Sequence, residues 1–293
     1  MKIINNTEIV ASRFGVEEAV RLLARAGFDA LDWSFFELWK DDDVWNQPDW
    51  REKAQRVKEL CAECGVEVIQ AHAPFPTNGG NKEYDDKAMS IILRAMEAAS
   101  IMGAKQIVVH PCQHLPHAKM PEENFCLSVE MYKSLVPYCE KWNIRVCAEN
   151  MWQYDKRRGY IVDSICSQPE EFIALLDAVD SPWVIGCLDL GHSALVGVEP
   201  QDFIRKMGSK YLKALHVHDV DYRNDNHDMP FMQKLNWEEI CKALAEIDYE
   251  GDITLESATF PARFPDALVE DANVLMAKTT RYLSERINYY KQI

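Results

Sequence analysis

Seven polar residues close short apolar runs along the chain: Asp32, His72, His110, Glu149, Asp189, His216 and Glu256. Their separations, by subtraction, are 40, 38, 39, 40, 27 and 40 residues. One strand, one turn and one helix fill an interval of that length, so the spacing is a repeat of fold units rather than of sequence. The strands read as Lys2–Asn5, Phe28–Trp33, Val66–Ala71, Gln106–Val109, Ile144–Ala148, Val184–Leu188, Leu212–Leu215 and Asp252–Leu255. The helices between and after them read as Val16–Ala26, Arg51–Cys64, Asp85–Met102, Pro121–Trp142, Pro169–Val179, Pro200–Met207, Trp237–Ile247 and Pro265–Tyr289. Glycine follows the first three helices and proline opens several of the later ones, the usual punctuation of helix ends. Eight βα units in a chain of 293 residues predict an α/β protein built as a single (β/α)8 barrel over residues 1–293. The alternative is a doubly wound open sheet, but no strand is followed by a GxGxxG or Walker glycine loop.

In a barrel every one of those strand ends arrives at the same face, around one axis. All eight histidines (72, 110, 114, 117, 192, 216, 218 and 227) fall in strand-end or βα-loop segments, and none in a predicted helix. The segment VIGCLDLGHS, Val184–Ser193, is typical: an apolar run, an acid, a glycine and a histidine. Asp189 reads either as the N-cap of the next helix or as a site residue. Glu149, Asp189, His216 and Glu256 would put three carboxylates and an imidazole at one buried mouth. Like charges repel and burial penalises each, so the group calls for a divalent cation. Oxygen-rich donors with one histidine suit Mn, Mg or Co, with Zn also compatible. His216 and His218 share strand parity; His216 is the preferred ligand.

The formal net charge is −15, which argues against a nucleic-acid partner or an acidic membrane. No apolar run approaches the ~18 residues of a membrane span, and MKIINNTEIV has no apolar core of a signal peptide. The chain is therefore expected to be cytoplasmic, acting on a small molecule, with homo-oligomerisation left open. The nine cysteines lie in apolar stretches and read as reduced thiols. Lys119, Lys156, Arg157 and Arg158 fall in loops and read as a solvated face, with phosphate binding as the alternative. The stretch WSFFELWKDDDVWNQPDW, with Trp152, reads as an apolar wall or lid, or as packing between loops or a dimer contact.

Taken in order, His72-Ala-Pro-Phe, Val-Val-His110-Pro, Ala-Glu149-Asn, Leu-Asp189-Leu-Gly-His192, His216-Val-His-Asp219, Asp225-Asn-His227 and Thr-Leu-Glu256 resemble the xylose isomerase-like TIM-barrel superfamily. That superfamily holds sugar (phosphate) isomerases and epimerases together with endonuclease IV, and the resemblance spans essentially the whole chain. Resemblance to the ketose 3-epimerase branch implies one divalent metal on Glu149, Asp189, His216 and Glu256. It also implies catalytic proton exchange by Glu149 and Glu256 through a metal-stabilised enediolate, and substrate binding at His192. That branch has an arginine about six residues after the metal histidine; here the position is Tyr222, with Arg223 beside it. Resemblance to endonuclease IV implies zinc at His72, His110 and Glu149, zinc at the same quartet, and a further zinc at His192, Asp225 and His227, with hydrolysis of abasic DNA. Inosose dehydratase and hydroxypyruvate isomerase activities lie close to the epimerase reading. Met-Trp-Gln-Tyr-Asp-Lys after Glu149 is unlike endonuclease IV, and Asp225–Trp237 is similar to a sugar isomerase loop. The expectation is thus a divalent-metal isomerase or epimerase of a sugar or sugar phosphate. His192, His72, His110, His218, Trp33 and Trp152 are its candidate substrate contacts, and His72, His110, His192, Asp225 and His227 the donors for any second metal.

Overall fold

The computed structural model describes residues 1–293. In chain order the elements are β1 (Ile3–Asn6), α1 (Glu8–Phe14), α2 (Val16–Ala26), β2 (Ala30–Ser34), α3 (Trp50–Cys64), β3 (Glu67–His72), α4 (Lys82–Met102), β4 (Gln106–Val108), α5 (Pro121–Trp142) and β5 (Arg145–Glu149). A hairpin of β6 (Trp152–Asp155) and β7 (Tyr160–Asp163) follows, then α6 (Pro169–Val179), β8 (Val184–Asp189), α7 (Leu190–Leu195), α8 (Pro200–Tyr211), β9 (Leu212–His216), α9 (Trp237–Glu246), β10 (Ile253–Leu255), α10 (Thr259–Ala262) and α11 (Asp266–Tyr290).

Eight parallel strands form one sheet in the order β10-β1-β2-β3-β4-β5-β8-β9. The ring closes just beyond β9, where the Val217 N–H donates to Thr254 O at 2.9 Å and the Glu256 N–H to Val217 O at 3.1 Å. The sheet is a closed barrel, and the doubly wound alternative does not hold. No helix is long and apolar enough to cross a membrane.

Strand alternation decides what meets on the axis. In β5, Val146 and Ala148 join the large core between sheet and helices, whereas Cys147 faces the barrel interior, so Glu149 does too. In β8, Val184 and Leu188 pack outward while Ile185 and Cys187 pack inward, which carries Asp189 onto the axis. In β9, Leu215 packs outward and Ala214 inward, which does the same for His216. A small inner cluster of Val108, Cys147, Ile185, Cys187 and Ala214 fills the barrel beneath these polar ends.

Four features depart from the predicted units. Short helices α1, α7 and α10 follow β1, β8 and β10, and the β6–β7 hairpin is inserted after β5. The hairpin turns on Asp155, whose Oδ1 accepts the N–H groups of Arg157 and Arg158 at 2.9 and 3.0 Å. Gly159 completes the turn at φ +78°, a conformation that L side chains rarely adopt. The aromatic stretch after β2 contains two short 3₁₀ turns, Phe36–Trp39 and Val44–Asn46.

Candidate active site

Glu149, Asp189, His216 and Glu256 converge at the C-terminal mouth of the barrel, with one ligating atom of each within 4.8 Å of the others. All four are buried. His216 Nδ1 lies 2.7 Å from Glu149 Oε1 and 3.3 Å from Glu256 Oε2. Its Nε2 is 3.2 Å from Gln70 Nε2 and 3.9 Å from Asp32 Oδ2, so the ring is held from behind. His218 stands outside this quartet. It follows β9, and its Nε2 lies 2.9 Å from both Asp189 oxygens.

Both sequence readings of Asp189 hold at once. Its Oδ1 accepts the His192 N–H at 2.7 Å and so caps α7, while its carboxylate is one of the four converging groups. His192 itself lies inside α7, although the sequence placed it in a loop. Its Nδ1 donates to Asn150 O at 2.9 Å, and Asn150 also accepts the Asp189 N–H and donates to Asp189 O. A single asparagine thus ties the end of β5 to the end of β8.

Two further donor groups flank the quartet. His110 Nε2 and His72 Nε2 lie 3.0 and 3.6 Å from Glu149 Oε2. On the other side His192, His218, Asp225 and His227 form a second group. There Asp225 Oδ2 is 3.2 Å from His227 Nε2 and 3.6 Å from His192 Nε2.

The charge states follow from this crowding. Burial would raise the Glu149 carboxyl, but the His216 charge and the contacts from His110, His216 and His72 outweigh it and hold Glu149 well below the carboxylate range. Burial would lower His216, yet the Glu256 and Glu149 carboxylates lift it well above the ordinary imidazole value. His227 is pushed up to about 10 against burial, by Asp225 first and then Glu256. His110 goes the other way, because its burial outweighs the pull of Glu149.

The donor set fits a divalent cation. Asp225 Oδ1 is a buried oxygen with no hydrogen-bond partner, and buried Glu149 Oε2, though 3.0 Å from His110 Nε2, accepts no aligned hydrogen bond. Each sits among imidazoles and carboxylates rather than beside a lysine or arginine. A cation would satisfy these oxygens and relieve the convergence of three carboxylates.

Above the donors opens a cavity of about 950 Å³. Of the six residues the sequence offered as substrate contacts, His72, His110, His192 and Trp152 line it, while His218, fully buried against Asp189, does not. Nor does Trp33. It is buried in the outer core, edge-on to Trp45 at 5.8 Å between ring centroids. Its neighbour Asp32 approaches His216 on the axis, so alternation along β2 turns Trp33 toward the helices. Phe35 and Trp45 lie in the same core; of the six aromatics in this stretch, only Phe36 reaches the cavity.

Sequence reading missed Glu8, Phe75, Tyr84, Gln113 and Tyr154, which also line the cavity. Glu8 opens α1, and its carboxyl is raised by burial and by the nearby Glu256. The acid begins a short helix directly after a strand, the one signal that pointed to it. Lys156, Arg157 and Arg158, at the tip of the hairpin, do not line the cavity.

Comparison with known proteins agrees with this architecture. An uncharacterised protein of Methanocaldococcus jannaschii is 26% identical over 205 residues, covering 66% of this chain and 64% of its own length. Fructoselysine 3-epimerase of Escherichia coli O157:H7 is 23% identical over 256 residues, covering 84% and 87%. A probable endonuclease 4 of Metamycoplasma arthritidis is 28% identical over 165 residues, covering 55% and 56%. The crystal structure of a D-tagatose 3-epimerase-like protein superposes at TM-score 0.72 with 20% identity, covering 100% of this chain and 99% of that one. The xylose isomerase-like TIM barrel family model matches residues 20–278, and with a closed eight-stranded barrel carrying its polar groups at the C-terminal mouth, this chain belongs to that family.

Proposed function

We propose that this chain is a divalent-cation-dependent epimerase or isomerase of a sugar, moving a proton on the carbon beside a carbonyl. The observation that carries the reading is the approach of Glu149 and Glu256 to one imidazole nitrogen, at 2.7 and 3.3 Å. These carboxylates leave strands that are not neighbours in the ring, β5 and β10, so they flank a substrate bound between them. A bound cation on Glu149, Asp189, His216 and Glu256 would supply Lewis-acid stabilisation of negative charge developing on two adjacent substrate oxygens. One glutamate takes the proton α to the carbonyl, and the other returns a proton from the opposite face. The order depends on the configuration of the substrate carbon. His192 is held by Asn150 and offers Nε2 toward Asp225 and the cavity, where it can bind a hydroxyl. The epimerase named among the relatives supports the same chemistry.

The test is elemental analysis of the purified protein, followed by a ketose panel in D₂O watched by NMR. Deuterium entering at C3 supports epimerisation, entry at C1 or C2 supports aldose–ketose isomerisation, and no entry at any carbon refutes the mechanism.

A second reading rests on the two flanking donor groups and on the endonuclease 4 relative. It is a three-zinc hydrolase of abasic DNA. It requires about three zinc ions per chain and nicking of an abasic duplex, against at most one tightly held cation and no nicking for the epimerase.

A further inference from the structure

Resting on the sugar reading above, we infer that the substrate is a non-phosphorylated keto-sugar extended by an apolar or aromatic substituent, which occupies the outer half of the cavity.

Size is the first argument. A monosaccharide of about a dozen non-hydrogen atoms needs roughly 200 Å³, whereas sites of ~300–1,000 Å³ take drug-sized ligands. The cavity here is about 950 Å³. A sugar seated against Glu149 and Glu256 leaves most of it open.

The second argument is the wall. Phe36 meets the His72 ring edge-on at 4.7 Å and Phe75 at 5.0 Å, and Phe75 stacks on His110 at 4.8 Å. Aromatic surface therefore runs from the donor imidazoles through Phe36 to Phe75, which is 42% exposed at the rim, and Tyr154 on the β6–β7 hairpin, 54% exposed, also lines the cavity. Trp152 and Tyr84 complete the lining. A free sugar has no apolar face large enough to cover that surface; a planar or aliphatic substituent has.

Charge is the third. The lining contains no lysine and no arginine, and its acids are Glu8, Glu149, Asp225 and Glu256. Phosphate recognition needs cationic side chains or free backbone donors. The loop glycines that line or border the cavity offer none: the Gly79 N–H donates to Asp85 Oδ1 at 2.7 Å and the Gly80 N–H to Asn78 Oδ1 at 2.9 Å. A phosphate dianion would face Glu8 across an apolar wall with no lysine or arginine to pair it.

The experiment compares D-fructose, D-fructose 6-phosphate and 6-O-benzyl-D-fructose for deuterium uptake in D₂O by the metal-loaded protein, repeated with the corresponding 1-O-benzyl ketose. Quenching of tryptophan fluorescence by benzyl β-D-glucoside and by glucose 6-phosphate gives binding without turnover. The expected result is a kcat/KM for one benzylated ketose about tenfold or more above both other sugars, from aromatic contact and burial. Tyr154→Ala, at an exposed position on the β6–β7 hairpin and checked for retained fold by circular dichroism, is expected to bring that preference close to one. A 6-phosphate or free ketose turned over as well as the benzylated sugars overturns the inference and leaves the sugar reading standing. No exchange with any ketose, but saturable quenching by the benzyl glucoside and none by the phosphate, overturns the sugar mechanism and supports the pocket assignment. No exchange and no quenching overturns both.

Discussion

Gly191, in the Leu-Gly-His segment after β8, is where a single methyl group tests the site's packing. It lies within α7, so helix propensity alone favours alanine by about 1 kcal/mol. A Cβ there would stand 2.1 Å from His218 Cε1, 2.6 Å from Nε2 and 2.7 Å from Nδ1. Ordinary contact begins at 3.4 Å, so about 1.3 Å (3.4 less 2.1) must be found. The His218 ring has nowhere to go, being fully buried, stacked on His227 at 4.0 Å between centroids and held to Asp189. Overpacking of this kind costs about 1–3 kcal/mol, and losing the contact to a carboxylate about 1.5–3 more. Gly191→Ala is therefore expected to destabilise by about 1.5–5 kcal/mol after the propensity gain. At ~2–4 °C per kcal/mol for chains of this size, Tm falls by roughly 10 °C. Gly197→Ala, at an exposed φ of +83° with open space around it, is the control and costs only the left-handed backbone penalty of about 1–2 kcal/mol. In a His218→Ala background the clash disappears, so the same Gly191→Ala change becomes nearly neutral, a coupling that a double-mutant cycle isolates. Differential scanning calorimetry on the four proteins and the control decides it. An unchanged or raised Tm for Gly191→Ala, or an equal loss in both backgrounds, refutes the reasoning.

Other perturbations probe different parts of the molecule. Glu256→Gln removes one proton carrier and is expected to lower α-proton exchange by about 10²–10⁴-fold while leaving the circular dichroism spectrum intact. Asp225 first and then Glu256 push His227 up to about 10 against burial, and the Glu256 and Glu149 carboxylates push His216 in the same direction, so the metal-free site is expected to hold His227 protonated near neutral pH. Divalent-cation loading should then release protons, with titration enthalpy varying between buffers of different ionisation enthalpy; a buffer-independent enthalpy contradicts this. Arg281 holds Asp29 through contacts of 2.7 and 2.8 Å and lowers its pKa, tying α11 to the entry of β2. Both groups are partly exposed, so Arg281→Ala should cost only about 1 kcal/mol. With the folded pKa below the unfolded one, that difference is present above the ordinary aspartate value of ~3.9 and closes as pH falls through the folded pKa. Among the nine free cysteines only Cys126 is exposed and Cys64 half-buried, while burial pushes the Cys61 thiol up to about 12. Ellman's reagent should find one fast and one slow thiol in the native protein and nine in denaturant.

Inward-facing donors were legible because strand parity and unit length fix them together. Glu149, Asp189, His216 and Glu256 each sit where an alternating or apolar strand meets its loop, and closing the barrel brings them together without information from the loops. Trp33 was misread by the same rule left unapplied: if Asp32 faces the axis, its neighbour cannot. Helix α1 has seven residues and Thr7 provides no side-chain cap, and short helices owe their stability to packing rather than propensity. The hairpin did carry a local signal, Asp155-Lys-Arg-Arg-Gly159 between aromatic residues, of the kind that marks a turn. Phe75 and Tyr84 carried none, since the direction of a βα loop is set by what it packs against.

The two chemistries open to these donors part at the cavity wall rather than at the ligands. Glu149 stands in both the His72–His110 group and the central quartet, so the ligand set alone serves one cation or several. A polynucleotide, however, brings a row of phosphates, and proteins that hold one neutralise it with lysine and arginine. Here the mouth offers Glu8 and Asp225 and no cationic side chain other than imidazole, on a chain of net charge −15. The basic residues of the β6–β7 turn lie outside the cavity lining, with Arg158 near Asp155 at 3.5 Å. Aromatic surface and carboxylates around a deep donor cluster suit the proposed neutral polyol with an apolar extension, whose C–H faces would lie against rings while its hydroxyls would reach toward His192. The identity of the wall, more than the number of metals, therefore separates proton transfer on a sugar from phosphodiester hydrolysis.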